Sequence, residues 1–133
     1  MKSQRKAEIA PSFAEEQLGE TALTAFFNIA ARWRLTSDEE RTLLGNPPRS
    51  TFYKWKKSKK AVLPQDTLER ISYILGIFKA LNILLPNTEA ANEWIKRPNA
   101  APLFNGQTAL DKMLVGRVVD LADVRRYLDA ERG

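Results

Sequence analysis

The sequence predicts an all-α protein. Apolar residues recur at three- and four-residue intervals along most of the chain, capping and stop signals cut those stretches into helices, and no run carries the alternation of a strand. Residues 1–12 are polar, include Pro11, and are expected to form a flexible N-terminus. Beyond them Leu18, Leu23, Phe26, Phe27, Ile29, Ala30 and Trp33 fall on one face of an amphipathic helix, which the pattern carries to about Leu35.

Thr36-Ser37-Asp38-Glu39-Glu40 reads as a helix start, with Ser37 as the cap and Glu40, three residues on, completing a capping box. The acids also suit the positive end of the helix dipole. Leu43-Leu44-Gly45 stops this helix early, with Gly45 past its end, and Asn46-Pro47-Pro48 forces an extended turn. A third helix begins at about Pro48 or Arg49. Its Phe52 and Trp55, three apart, face inward, which turns Arg49, Ser50, Thr51, Tyr53, Lys54 and Lys57 mainly outward.

Pro64-Gln65-Asp66 marks another start, for a helix expected over Thr67–Leu85. Leu68, Ile71, Ile74, Leu75, Ile77, Phe78, Leu81, Ile83 and Leu84 make it apolar on more than one stripe, so it is expected to be buried on several sides, centrally or at a subunit contact. Gly76 inside it costs about 1 kcal/mol against alanine and admits a close helix approach. Pro86 restarts the chain, with Asn87 or Thr88 as cap and Ala90, Ala91, Trp94 and Ile95 inside; Arg97-Pro98-Asn99 ends that helix. A loop anchored by Leu103 and Phe104 leads to a short helix over Ala109–Leu114, capped by Thr108 and closed by Gly116. Asp120 opens the last helix, with Leu121, Val124, Tyr127 and Leu128 on one face.

Composition narrows the function. A length of 133 residues fits one domain, or two small helical units sharing a core. There is no cysteine, hence no disulfide framework and no thiolate zinc site, and no histidine, which removes the commonest general base and metal ligand. The scattered acids Glu89, Glu93, Asp111 and Asp123 read as caps and surface pairs, and the glycines lie apart rather than in a phosphate loop. The reading is therefore a binding protein, not an enzyme, with no catalytic residue, cofactor, metal or small-molecule substrate. No stretch reaches the ~20 apolar residues of a membrane helix, and the N-terminus lacks the apolar core of a secretory signal. A cytoplasmic location is expected.

Charge separates the two halves. Residues 1–63 hold 12 Lys/Arg against 7 Asp/Glu, whereas residues 64–133 hold 9 of each, so the net +5 sits entirely in the first half. Arg49, Lys54, Lys56, Lys57, Lys59 and Lys60 concentrate it in one acid-free stretch. A helix, a short capped helix, a glycine turn and then a helix with exposed basic residues is helix-turn-helix order. In that frame Arg49 can contact guanine bidentately, and Ser50 and Thr51 can read base edges or a thymine methyl. Tyr53, Lys54, Lys57, Lys59 and Lys60 are placed for phosphates. The amides at the start of the second helix offer a further phosphate site.

The second half adds a resemblance. The runs LERISYILGIFKALNILLP, NEWIKRPNAAPLFNGQTALDKMLVG and DLADVRRYLDAERG resemble the C-terminal domain of the MbcA/ParS/Xre antitoxins, over roughly residues 65–133. Trp94, Pro98, Asn99, Phe104, Gly106, Leu110, Met113, Gly116, Val124, Tyr127 and Leu128 match its pattern. The resemblance implies an Xre-like helix-turn-helix DNA-binding unit over 13–63 and a helical toxin-binding and dimerisation domain over 64–133. It also implies a type II toxin–antitoxin system. The antitoxin, commonly a homodimer, covers the active site of a cognate RES-domain toxin that is similar to ADP-ribosyltransferases and consumes NAD; it also binds operator DNA and represses its operon. Arg125, Arg126, Tyr127, Leu128 and Arg132 then become the expected toxin contacts, being aromatic and arginine anchors near a chain end. Two plainer readings stand beside it: a dimeric helix-turn-helix transcription regulator without a toxin partner, and a helical adaptor with no DNA role.

Overall fold

The computed structural model describes the backbone of residues 2–133 and the side chains from Phe13 onward. The flexible stretch expected over 1–12 thus falls outside the residues whose side chains are described; the first helix has its bounds at Lys2 and Arg32. In order the helices are α1 (Lys2–Arg32), α2 (Ser37–Leu43), α3 (Arg49–Ser58), α4 (Gln65–Leu84), α5 (Thr88–Glu93), α6 (Ala109–Met113) and α7 (Val118–Arg132), with one 3-10 turn at Trp94–Lys96 after α5. Among the described residues there is no strand, only an isolated bridge between Pro98 and Thr108.

One core holds these helices. α4 runs through it, packed chiefly on α7 and next on α1. Ile71, Ile74, Ile77, Ala80 and Leu81 of α4 meet Phe26 and Trp33 of α1, Phe52 of α3 and Val124 and Leu128 of α7 in a single buried cluster. The all-round apolar character of α4 is thereby accounted for on most sides; Leu75 and Ile83 stay on the surface. Leu18, expected on the inner face of α1, is instead 54% exposed, because α1 runs past the body that buries its later turns.

The helix ends follow local chemistry. α1 stops three residues short of the expected Leu35. Arg34 turns left-handed (φ 54), and the Leu35 N–H reaches back to the Ala30 carbonyl (3.0 Å) while Arg34 bonds to Ala31 (3.2 Å). This is a Schellman closure built on arginine, with Leu35 packed on the core as its apolar stop. The same device closes α2 on Gly45 (φ 96), where the Asn46 N–H bonds to the Arg41 carbonyl at 2.9 Å. The capping box of α2 sits one residue earlier than expected. Thr36, not Ser37, is the cap, and Glu39, not Glu40, answers it: Thr36 N donates to Glu39 Oε1 at 2.8 Å and Glu39 N to Thr36 Oγ1 at 3.1 Å. Glu40 is unavailable because it turns inward to Lys56. α4 starts at Gln65, two residues before Thr67, since Pro64 takes the cap position and its carbonyl already accepts from Leu68. α7 begins at Val118 rather than Asp120, which lies inside the first turn and is wholly buried.

The linker between α3 and α4 crosses α1 at Gly19. A Cβ there would stand 1.9 Å from the Ala61 carbonyl oxygen, a backbone atom that cannot swing aside. Gly19→Ala is therefore expected to destabilise by about 1–3 kcal/mol despite alanine's better helix propensity. Urea unfolding measures this, and an unchanged midpoint would remove the close approach from the account.

Candidate functional site

α3 presents one face to the core and one to solvent. Phe52 and Trp55 are buried, with the Phe52 ring 6.1 Å from that of Phe27 on α1. Of the eight residues expected to touch nucleic acid, Arg49, Ser50, Tyr53, Lys54, Lys57 and Lys60 are exposed, and Thr51 is half-buried. Lys59 also is half-buried. It adopts a left-handed conformation at the end of α3, where its Nζ bonds to the Lys56 carbonyl (3.0 Å) and lies over the Phe27 ring. Lys54, Lys57 and Lys60 have no acidic partner among the described residues. Arg49 contacts Asp38 of α2 at 3.4 Å with both side chains in solvent, a pairing worth about 0–1 kcal/mol that another anion can replace.

The start of α2 behaves differently from the phosphate site expected there. Its cap is closed on itself, and its first turn carries Asp38, Glu39 and Glu40. Those acids repel an anion. No side chain caps the start of α3, and its first turn holds no acid, so α3 lacks the acidic first turn of α2. Lys56, on the inward side one turn after Phe52, bonds to Glu40 Oε1 at 2.7 Å and lies over the Phe27 and Phe52 rings. It fixes α3 against α2. Sequence reasoning counted Lys56 in the basic stretch and missed this bridge, although its spacing from Phe52 signals an inward position.

The C-terminal end forms a second surface. The rings of Trp94, Phe104 and Tyr127 make a mutual cluster, with centroids 5.9 Å (Trp94–Phe104), 5.1 Å (Phe104–Tyr127) and 6.3 Å (Trp94–Tyr127) apart. The loop that delivers Phe104 is tied by the Asn99 N–H to the Gln107 carbonyl and the Gly106 N–H to the Asn99 carbonyl, each at 2.9 Å. Gly106 is left-handed (φ 84) to allow it.

The five residues expected to meet a toxin are not equivalent on this surface. Leu128 is buried and Tyr127 half-buried in the aromatic cluster. The half-buried Arg125 lies over Gly76 of α4, where a Cβ would meet its guanidinium, and pairs with Asp129 at 3.1 Å. Arg126, paired with Asp123, and Arg132, paired with Asp129, face solvent.

Below them Asp120, fully buried at the start of α7, accepts from Arg117 Nε (2.9 Å), Arg117 Nη2 (3.0 Å) and Lys112 Nζ (3.1 Å). The Arg117 bonds foremost, and then Lys112, hold its carboxyl below the usual carboxylate range against the opposing effect of burial. Among the described residues no group of acids could hold a metal ion, and no helix is long and apolar enough to cross a membrane.

Two family models divide the chain between them. Residues 14–76 match the antitoxin Xre-like helix-turn-helix domain, and residues 80–133 match the antitoxin Xre/MbcA/ParS C-terminal toxin-binding domain. An uncharacterised protein of Sinorhizobium fredii, y4oB, is 59% identical over 111 residues, 84% of each chain. The chain belongs to the Xre/MbcA/ParS antitoxin family. In this antitoxin the basic face of α3 lies within the helix-turn-helix match, whereas the aromatic cluster and the α7 arginines lie within the toxin-binding match. The two matches part inside α4, the helix that packs on both α1 and α7.

Proposed function

We propose that this antitoxin neutralises a cognate RES-domain toxin, an NAD-consuming protein similar to ADP-ribosyltransferases, by covering its active site. It is a type II antitoxin that also binds operator DNA as a homodimer and represses its own operon. It needs no cofactor and catalyses nothing itself. The observation that carries this reading is the joining, in one chain, of a helix-turn-helix with an unneutralised cationic face to a segment matched to a toxin-binding domain.

At the DNA, Arg49, Ser50 and Thr51 at the start of α3 meet base edges, and Tyr53, Lys54, Lys57 and Lys60 meet phosphates, with Lys59 at the margin. A dimer places two such helices on an inverted repeat with half-sites about one helical turn apart. At the toxin, Arg126 and Arg132 offer charge, and Tyr127 an aromatic edge, beside the more enclosed Arg125 and Leu128.

Titration against the protein's own promoter DNA at several salt concentrations tests the first arm, and growth rescue on co-expression with the adjacent gene tests the second. Exchanging Lys54 and Lys57 together for alanine should flatten the slope of log affinity against log salt by about two units while leaving growth rescue intact. Absence of salt-dependent promoter binding by the wild type removes the operator role; absence of rescue removes the antitoxin role.

A further inference from the structure

A groove of about 210 Å³ opens between the end of α4 and α7. Leu81 and Leu128 form its floor, Leu84, Leu85, Trp94 and Tyr127 its walls, and Glu131 stands at its rim. The volume is below the roughly 300 Å³ at which small-molecule sites begin, and suits one leucine- or phenylalanine-sized side chain. Aromatic and leucine walls around a single half-open groove are the setting in which one inserted side chain carries much of a protein–protein binding energy.

Charge at the rim is specific. On α7 Asp120 pairs with Arg117 and Lys112, Asp123 with Lys112 and Arg126, and Asp129 with Arg125 and Arg132. Glu131 is the one acid of this helix that forms no ion pair among the described residues, and it is the one that borders the groove. An apolar floor beside an unneutralised carboxylate is complementary to an apolar side chain flanked by a lysine or arginine. All of the lining residues fall within the segment 80–133 matched to the toxin-binding domain.

We infer that this groove receives such an apolar–basic pair from the toxin, anchoring it to the side of the helical body. The inference rests on the antitoxin reading above and adds a contact separate from the α7 arginines. Its test is calorimetric titration of the purified adjacent gene product into the full-length wild type, Leu84→Lys and Glu131→Lys. Leu84→Lys should weaken toxin binding at least about 30-fold, and Glu131→Lys about 10-fold, with promoter DNA affinity unchanged in both. Glu131 is exposed, so its variant reads the rim charge with the fold intact, and circular dichroism checks the Leu84 variant. Wild-type toxin affinity in both variants overturns the groove assignment alone. Failure of the wild type to bind overturns the antitoxin reading and the groove with it. Dissociation of a homodimer by Leu84→Lys with toxin affinity intact gives the groove to a second copy and overturns the proposal.

Discussion

Trp33→Ala is expected to destabilise the protein by about 3–5 kcal/mol, the range for truncating a large aromatic in a packed core. Trp33 closes the last turns of α1 at 1% exposure, with its ring 6.2 Å from that of Phe78 on α4. Trp33 belongs to the same buried cluster as Phe26, Ile71 and Ile74, so its truncation removes core contacts and leaves a cavity. Against a total of about 5–15 kcal/mol for a small domain, the loss is a large share of stability. A conservative variant should behave differently. The indole Nε1 is buried with no partner among the described residues, and an unsatisfied buried donor costs about 1–3 kcal/mol. Trp33→Phe removes that group along with some packing and should cost no more than about 2 kcal/mol. Urea unfolding followed by far-ultraviolet circular dichroism separates the two; equal losses in both variants would sink the contribution assigned to the indole nitrogen.

Asp120→Ala is expected to cost about 1–2 kcal/mol, because it removes the buried acceptor that Lys112 and Arg117 share, while Lys112 keeps Asp123 and the exposed Arg117 returns to water. The same carboxylate sets a pH dependence. Its folded pKa lies below the ordinary value of about 3.9, held there first by the bonds from Arg117. A depressed folded pKa means the stabilisation is fully present above the unfolded carboxylate's pKa and drains away as pH falls through the folded one. The wild type should therefore lose stability below about pH 4, and Asp120→Asn should lose measurably less over the same descent. Urea midpoints at a series of pH values decide it. Identical slopes in the two proteins would show that Asp120 is not a principal titrating contact.

Much of this architecture was legible in the residues, and the differences have local causes. Gly45, Asn87 and Thr108 act where their chemistry places them, at a stop and at two caps. Phe52 and Trp55 correctly oriented α3, because three-residue spacing defines a helix face whatever the tertiary setting. The α2 cap shifted by one residue since two Thr/Ser-plus-Glu pairs overlap there, and only the long-range demand of Lys56 for Glu40 chooses between them. The start of α7 was misplaced for a similar reason: Asp120 looks like a cap, yet Arg117 and Lys112 draw it inward as a buried acceptor. On the functional surfaces, sequence position identified the basic helix but could not tell Lys57, which faces solvent, from Lys59, which folds back over Phe27. The groove beside Tyr127 was beyond reach, because it joins Leu81, Leu84 and Leu85 to residues more than thirty positions later.

The course of α4 has a consequence for modular engineering. The two halves of this antitoxin are separable as families but not as bodies: the seam between their patterns falls within a helix whose Ile74, Ile77 and Leu81 serve both neighbours. A graft that exchanges toxin specificity between relatives cannot be cut at that seam without mismatching the α4 interior. The natural cut is the extended segment before Gln65, so that α4 travels with its C-terminal partner and the designer re-fits only its contact with α1. Recombination between relatives faces the same geometry, and partner choice in such a lineage would be inherited together with the helix that supports the helix-turn-helix unit.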